Sequence, residues 1–455
     1  MSVETGVGGD DIARLSQRGF PTILPPDTAI AAHICRQLGQ HARLRPAEQE
    51  ALSLQQRQLL LTHARRHSAF WRERLPEIDL PRQPAQWQAV PVLRRPALQA
   101  AGEAIRAYDP ARMPLDIGKA HTSGSTGLPV TVERLNPVYR PIYRAVSALE
   151  KRWHGIDPRS TRAVIRDLPE GEHRQTGLGL ETGRVLVRSP MKHAPEALLA
   201  WLREVAPDSL ITLPSVAARL ARLAIAEGGG PRIGKVLTVG EAVPPETRQL
   251  CAEAFGARLI DRYSCEEFGW VALQCPKHDH LHLLSSLVHL EIVDGQGRPC
   301  AVGQPGEVLL TGLQSYAAPL IRYAIGDVAE WGAPCDCGIT LPVIRRILGR
   351  RRNFLRLPDG SERLARLAGP HWHAFPMVQE FRLVQYGDGV IEAFLRCATP
   401  LQAVERAGIT DLLQTVLGHP FDIHIIETDQ IDWGGRPKRE DFVRVDRPWP
   451  GRSAA

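Results

Sequence analysis

Long apolar runs are missing from this sequence of 455 residues, and no stretch reaches the roughly 18–20 apolar residues that a membrane-spanning helix requires. Residues 1–11 are acidic and glycine-rich, without the basic and then apolar pattern of a secretory signal peptide. A basic tail, an RNP-like motif and a zinc-finger helix are also missing, which argues against nucleic acid as a partner. We therefore expect a cytoplasmic protein that binds neither membranes nor nucleic acid.

Net charge is small as well, because 56 Lys and Arg residues face 50 Asp and Glu residues, for a formal charge of +6. The excess is spread along the chain as arginine, which suits an enzyme for anionic ligands such as ATP or coenzyme A. A hydrophobic content of 43% and a charged content of 23% are typical of a globular protein of two or three domains. The eight cysteines should be reduced in the cytoplasm.

Short apolar segments alternate with helical stretches in the middle of the chain, a rhythm typical of an α/β domain with a largely parallel sheet. Apolar periodicity predicts a helix over 46–75. It predicts further helices over 136–153 and 195–205, and strands over 163–165, 185–187, 210–212 and 236–239.

Beyond Gly349 the sequence becomes arginine-rich and then follows a small α+β pattern. Strands are predicted over 380–386, 390–396 and 421–427, with a helix over 409–417. The sequence thus predicts an α/β protein with a large N-terminal domain, 1–348, and a small C-terminal α+β domain, 349–455. Residues 1–45 are expected to be partly mobile.

A loop rich in hydroxyl side chains and glycine precedes an apolar, β-prone segment. Its glycines permit backbone conformations in which successive N–H groups converge on one anion, and its hydroxyls add donors. The loop lacks the Gly-Lys-Ser/Thr ending of a P-loop. The residues that would hold the anion are Thr122, Ser123, Gly124, Ser125, Thr126 and Gly127.

This loop resembles the T-S-G-(S/T)-T-G-x-P phosphate loop of adenylate-forming enzymes, which convert a carboxylic acid and ATP to an acyl-adenylate. Val130 follows the proline where many members have lysine, which is more like the phenylacetate–CoA ligase branch. In the superfamily a tyrosine in a Y-G-x-(T/S)-E turn stacks on adenine, and its glutamate helps to hold Mg²⁺. Tyr263-Ser264-Cys265-Glu266-Glu267 is similar, so the resemblance implies that Tyr263 meets the nucleotide and that Glu267 is catalytic.

Three further segments resemble the superfamily in its order. Asp327, in Tyr323-Ala324-Ile325-Gly326-Asp327, matches the aspartate that accepts both ribose hydroxyls, and a carboxylate suits a vicinal diol. Arg350 matches the following Gly-Arg at the hinge, although Arg351, Arg352 and Asn353 replace the usual acidic pair. Gly240 and Glu241 resemble the turn that lines the adenine and acyl pocket.

A lysine near the C-terminus of these enzymes meets the carboxylate and the α-phosphate. The chain offers two alternatives, because counting from Ile431 gives Lys438 and matching the glycine gives Arg436. Either cation would offset negative charge that develops on the phosphorus centre during adenylation. We prefer Lys438 and keep Arg436 as the second candidate.

The cysteine spacing predicts a metal site. Cys335 and Cys337 are separated by one residue and followed by a glycine, and upstream Cys275 precedes three histidines, 278, 280 and 282. One histidine and three cysteines form a competent tetrahedral zinc site. Phenylacetate–CoA ligase-like and F390-synthetase-like proteins often carry such a set, and their pattern matches His282 best. Four ligands leave no open position, so the zinc would be structural.

The resemblance extends from about residue 45 to 445 and implies an enzyme that uses ATP, Mg²⁺ and coenzyme A. A small acid, aryl or arylacetic in much of the family, would be adenylated and then transferred to coenzyme A by a mobile C-terminal domain. Alternatives are an amine or carrier-protein phosphopantetheine acceptor, or a binding protein that keeps the nucleotide fold without turnover. Family members also suggest a homodimer. Trp153, His154, Phe268 and Trp270 are candidate pocket aromatics.

Overall fold

The computed structural model describes residues 26–111, 115–121, 130–176, 182–364, 369–433 and 440–452. The chain divides into two compact units. The larger unit contains the chain up to Ile325 together with 329–347, and the smaller unit contains 326–328 together with 348–455. Among the described residues, no helix combines the length and the apolar character needed to cross a bilayer.

The helices concentrate in the larger unit, and several begin with proline, whose fixed φ suits the first helical turn. They are α1 (Pro26–His41), α2 (Pro46–His67), α3 (Ala69–Arg72), α4 (Arg95–Ala101), α5 (Asn136–Trp153), α6 (Pro195–Val205), α7 (Pro214–Ala226), α8 (Pro245–Phe255) and α9 (Ala403–Leu417). Short 3₁₀ helices cover Pro84–Ala89, Gly102–Ile105, Arg351–Asn353, Gly369–Ala374 and Pro450–Arg452.

The strands form three larger sheets and two hairpin-like pairs. In chain order they are β1 (Ile117–His121), β2 (Thr131–Leu135), β3 (Arg162–Ile165), β4 (Gly171–Thr176), β5 (Thr182–Arg188), β6 (Ser209–Thr212), β7 (Lys235–Thr238), β8 (Arg258–Ile260), β9 (Arg262–Cys265), β10 (Gly269–Gln274), β11 (Leu281–Leu283), β12 (Val288–Val293), β13 (Pro305–Gly312), β14 (Tyr323–Trp331), β15 (Val343–Arg350), β16 (Phe354–Arg356), β17 (Glu362–Leu364), β18 (Val378–Gln385), β19 (Ile391–Cys397), β20 (Ile423–Glu427) and β21 (Phe442–Arg444).

A six-stranded sheet in the order β4-β5-β3-β6-β7-β8 forms the α/β part of the larger unit. β5, β3, β6, β7 and β8 are mutually parallel, and β4 is antiparallel to β5 at the edge. Its core consists of side chains from α6, α7 and α8 packed on the strands, among them Leu202, Leu220 and Phe255. Burial on both faces explains why these strands are short continuous apolar runs.

A seven-stranded sheet in the order β12-β13-β14-β15-β11-β10-β9 follows in the chain. β12 and β13 are antiparallel, with Val288 opposite Gly312 and Val293 opposite Glu307. The N-terminal segment joins this sheet through Arg322, whose buried guanidinium binds Glu291 and the backbone carbonyls of Gln88 and Val90.

The smaller unit has a four-stranded sheet, β20-β19-β18-β21, covered by α9. β18 and β19 are antiparallel, whereas β20 and β21 run parallel to their neighbours. Ile409 and Leu413 of α9 are fully buried against the sheet. The architecture confirms the predicted fold class, a larger α/β unit with a smaller α+β unit.

Candidate functional site

The predicted phosphate loop connects two paired strands. β1 and β2 are antiparallel, with His121 opposite Thr131 and Ile117 opposite Leu135. Thr122, Ser123, Gly124, Ser125, Thr126 and Gly127 lie outside the described residues. Their role stays a prediction, and the structure supplies the hairpin frame from which the loop extends.

A cleft in the larger unit lies beside this hairpin. It encloses about 630 Å³, counted out into open solvent, and is lined by β2, the first half of α5, the turn into β10 and the end of β13. Glu267, the predicted Mg²⁺ ligand, lines the cleft and is 6% exposed. Glu133 also lines it, but its carboxylate accepts hydrogen bonds from Arg106 and Tyr108.

Aromatic side chains form much of the cleft wall. Tyr139 and Tyr143 come from α5, and Phe268 and Trp270 come from the turn and start of β10. Gly269 has a φ of +73°, and a Cβ there would lie 3.0 Å from the ring of Tyr139. Glycine at 269 therefore permits both the turn and the close approach of the ring.

Tyr263 belongs to the seven-stranded sheet of the larger unit, and the Gly240 turn follows a strand of the six-stranded sheet. Tyr263, on β9, is 7% exposed and pairs with Ala272 of β10. Gly240, with a φ of +89°, follows β7, and the Glu241 carboxylate accepts hydrogen bonds from the backbone N–H and the hydroxyl of Ser215. Glu241 therefore holds the start of α7, a structural role beside the predicted one.

Asp327 and Arg350, both predicted to meet the nucleotide, contact each other. The Nε atom of Arg350 lies 3.0 Å from an Asp327 carboxylate oxygen. The Asp327 side chain is 9% exposed and that of Arg350 is 39% exposed. Both residues belong to the smaller unit, and the guanidinium of Arg350 holds one oxygen of the Asp327 carboxylate.

Arg436 and Lys438, the alternatives for the adenylation cation, lie outside the described residues. The choice between these two residues therefore stays open.

The four predicted metal ligands lie together in the larger unit. Ligand atoms of Cys275, His282, Cys335 and Cys337 are all within 4.8 Å of one another. The Sγ atoms of Cys275 and Cys335 are 3.7 Å apart, and Cys337 Sγ lies 3.3 Å from His282 Nε2. Zinc–sulfur bonds of about 2.3 Å in a tetrahedron place two sulfurs roughly 3.8 Å apart, so this spacing fits zinc.

The surroundings of the cluster suit metal binding. Backbone N–H groups of Lys277, Cys337 and Ile339 each lie 3.4 Å from a cysteine Sγ, which they can stabilise as thiolate. His282 Nδ1 faces the Leu341 carbonyl at 3.4 Å and leaves Nε2 toward the sulfurs. Burial lowers the pKa of His282 to about 4, so its imidazole is neutral.

The cysteine loop is tied to the N-terminal helices. The Thr340 N–H donates to the Ala42 carbonyl at 2.9 Å, and its hydroxyl lies 2.6 Å from the Leu44 carbonyl. The Gln49 amide donates to the Thr340 hydroxyl at 2.9 Å. The loop that carries two cysteines is therefore fastened at Thr340 to the α1–α2 connection.

Two of the four candidate aromatics lie elsewhere. Trp153 stands edge-on to His282, with ring centroids 6.0 Å apart, and His154 bonds the Gln274 carbonyl. Arg134, Tyr139 and Tyr143 also line the cleft, and none of them belongs to a predicted site. Only their place in the sequence could have indicated them, because β2 and α5 directly follow the predicted phosphate loop.

Comparisons with known proteins identify relatives by structure. No protein-family model and no curated protein sequence matches the chain. A solved structure of 2-hydroxyisobutyryl-CoA ligase in complex with 2-HIB-AMP, in the postadenylation state, matches with a TM-score of 0.66 and 19% identity over 90% of this chain and 91% of that one. An open conformation of that ligase in complex with 2-HIB-AMP and CoA gives 0.57 and 20% identity over 90% and 94%.

A third similar structure is that of anthranilate CoA ligase AuaEII in complex with anthranoyl-AMP, with a TM-score of 0.53 and 18% identity over 71% of this chain and 65% of that one. These similarities give the chain the fold of adenylate-forming CoA ligases, as the sequence predicts. The phenylacetate–CoA ligase subtype stays a prediction.

Proposed function

We propose that this protein activates a carboxylic acid with ATP to an acyl-adenylate and then transfers the acyl group to coenzyme A. The observation that carries the proposal is the agreement of fold, along nine-tenths of both chains, with a ligase whose structures contain an acyl-adenylate and CoA. The order of the sequence motifs along that fold supports it. An aryl or arylacetic acid is the proposed substrate, supported by the aromatic wall of the cleft.

In the first half-reaction, a carboxylate oxygen attacks the α-phosphorus of ATP in line, and pyrophosphate leaves. Residues 122–127 would cradle the phosphates, Asp327 would accept both ribose hydroxyls, and Tyr263 would lie against adenine. Arg350 holds the Asp327 carboxylate in place. Lys438, or alternatively Arg436, would offset charge on the phosphorus centre.

Glu267 is the proposed ligand of Mg²⁺, since its carboxylate is buried and faces the cleft. When bound there, Mg²⁺ would supply positive charge that stabilises negative charge on the phosphate oxygens. Glu267 itself would hold the ion in position.

In the second half-reaction, a thiolate attacks the acyl carbonyl and AMP leaves. The mixed anhydride is already activated, so no nucleophile from the protein is required. Residues 349–455 are the proposed mobile domain, which would move between the arrangement that forms the adenylate and the arrangement that transfers the acyl group. Coenzyme A is the proposed acceptor, and a carrier-protein thiol or an amine is the alternative.

Acid-dependent release of pyrophosphate with Mg·ATP tests this function. We expect release with at least one class among benzoates, aminobenzoates and arylacetates, and formation of an acyl-CoA when coenzyme A is added. Release of pyrophosphate without consumption of coenzyme A would favour a carrier-protein thiol or an amine as the acceptor. Folded protein that binds ATP and releases no pyrophosphate with any acid would refute the enzyme and favour a nucleotide-binding protein.

A structural zinc ion held by Cys275, His282, Cys335 and Cys337 is a second proposal. Its support is the spacing of the four donor atoms, the N–H groups on the sulfurs and the carbonyl behind His282. All four positions would be filled by the protein. The ion would therefore cross-link the β10–β11 turn to the loop before β15, and it would not act in catalysis.

We expect the purified protein to carry one equivalent of zinc and the Cys337→Ser variant to carry almost none. Cys397→Ser is the matched control, because Cys397 lies on β19 in the smaller unit, and this variant should keep the zinc. Metal content by mass spectrometry checks both. Cobalt substitution should give the intense visible absorption of tetrahedral thiolate ligation, and its absence in metal-reconstituted protein would refute the site.

A further inference from the structure

Arg134 has an unused hydrogen-bonding edge at the cleft. It lies on β2 opposite Gly118, and it lines the cleft with the aromatic side chains. Its Nε and Nη2 atoms are both buried from solvent, and neither has an acceptor within the described part of the chain. Two buried guanidinium nitrogens without an acceptor among the described residues are costly, so this edge suits an acceptor that a ligand supplies.

The two unpaired atoms lie on one side of the guanidinium, the side that binds a carboxylate with two parallel hydrogen bonds. Other arginines in this chain use that same Nε/Nη2 edge for that purpose. The examples, with both distances, are Arg106 with Glu133 (2.8 and 2.8 Å), Arg262 with Glu150 (2.7 and 2.5 Å) and Arg346 with Glu330 (2.9 and 2.7 Å).

Neighbouring side chains hold the Arg134 guanidinium for such a ligand. Its Cζ atom lies 4.3 Å from the centroid of the Tyr139 ring, a cation–π contact that stabilises the guanidinium at this position. Trp270 lines the same cleft, and its indole N–H is buried with no acceptor among the described residues. Flat aromatic walls and unpaired donors together fit a planar ligand with an anionic substituent.

We propose that the acid activated by this protein carries a second carboxylate, which Arg134 binds side-on while the first carboxylate reacts. This inference rests on the proposed function. Arg134 is four residues beyond Val130, the first described residue after the predicted phosphate loop, and lies about 13 Å from it along an extended strand. A reacting carboxylate needs a free oxygen for attack, and a side-on pair with arginine would occupy both oxygens and stabilise the ground state.

Arg134 would thus select among substrates by pairing with the group that does not react. An aromatic monoacid would leave the guanidinium desolvated and unpaired, whereas the corresponding dicarboxylic acid would satisfy it. Specificity of this type is strong, because the wrong substrate leaves a buried polar group without a partner.

Pyrophosphate release with benzoate and phenylacetate, compared with benzenedicarboxylates and carboxyphenylacetates, tests the inference. We expect wild-type kcat/KM to favour a dicarboxylic acid, and Arg134→Met to lower that value about 30-fold or more, the size expected for one partner of a buried charge pair. The ratio of the diacid to the monoacid kcat/KM should therefore fall in this variant. Arg140→Met is the matched control, since Arg140 is exposed on α5, and it should keep the preference.

Binding distinguishes the inference from the function on which it rests. Calorimetry with a non-hydrolysable ATP analogue should detect the diacid in wild type and not in Arg134→Met, whose folding is checked by its melting temperature. Diacid binding without pyrophosphate release from any acid would support the carboxylate site and refute adenylation. Equal loss for monoacid and diacid, or a wild-type preference for monoacids, would overturn the inference while adenylation stands.

Discussion

Replacing Glu267 by glutamine is expected to reduce the rate of pyrophosphate release by about 10²–10³-fold, the range found when one preorganised electrostatic contact to the reacting centre is removed. Glutamine keeps the volume of the side chain and loses the charge. Because Glu267 is buried in the cleft wall, the glutamine would occupy the same position without the charge. The apparent affinity for Mg²⁺ should fall as well, so raising Mg²⁺ should restore part of the rate.

The adjacent glutamate provides the matched control. Glu266 is exposed, and Glu266→Gln should keep nearly the full rate. Stopped-flow or coupled assays of pyrophosphate, with Mg²⁺ varied, measure both variants. Loss of activity in Glu266→Gln alone would show that the motif alignment is displaced by one residue. Full activity in both variants would show that neither glutamate of this turn takes part in catalysis.

Removing the carboxylate of Glu150 should cost the larger unit about 3–5 kcal/mol of unfolding free energy, the range for breaking a buried ion pair. The side chains of Glu150 and Arg262 are 1% and 9% exposed. Glu150→Ala leaves Arg262 buried without its carboxylate, close to the buried Arg162, whose pKa is lowered by burial and then by Arg262. Repulsion between the two arginines would then lack a compensating charge.

Urea unfolding of Glu150→Ala and of the double variant Glu150→Leu/Arg262→Met measures this effect. The double variant should recover most of the loss, because apolar side chains of similar volume often replace a buried pair without cost. Arg184→Ala is a control from an exposed pair, and its effect should be within about 1 kcal/mol. An equal loss in single and double variants would assign the cost to packing alone.

Local sequence signals predicted several elements with their bounds. The helices over 136–153 and 195–205 are confirmed, since each has proline in its first turn and apolar side chains at helical spacing. The helix predicted over 46–75 is interrupted at Ser68, whose extended backbone and side-chain oxygen begin a second short helix at Ala69. The α9 helix begins at Ala403, six residues before the prediction, where Gln402 and Glu405 form a capping box.

Side-chain environments were harder to predict than elements. Spacing and residue type indicate the three cysteines and a set of three histidines, the family resemblance favours His282 among them, and the structure brings these four ligands together. Arg134 gave no such signal, because its unpaired edge depends on burial by residues of α5 and β10, which are distant in sequence from β2. Asp327 and Arg350 were each matched to a motif, but their mutual contact needed the pairing of strands in space.

The hydrogen bonds of Thr340 couple the metal cluster to the beginning of the chain. Free energy shared between two sites is reciprocal, so zinc binding should protect the α1–α2 connection from proteolysis, and loosening that connection should weaken zinc binding by the same factor. Gln49→Ala, which leaves every proposed metal ligand in place, would raise the zinc dissociation constant. Zinc would then stabilise the attachment of the N-terminal helices, and after a chelator removes it a protease should cleave these helices before the rest of the larger unit.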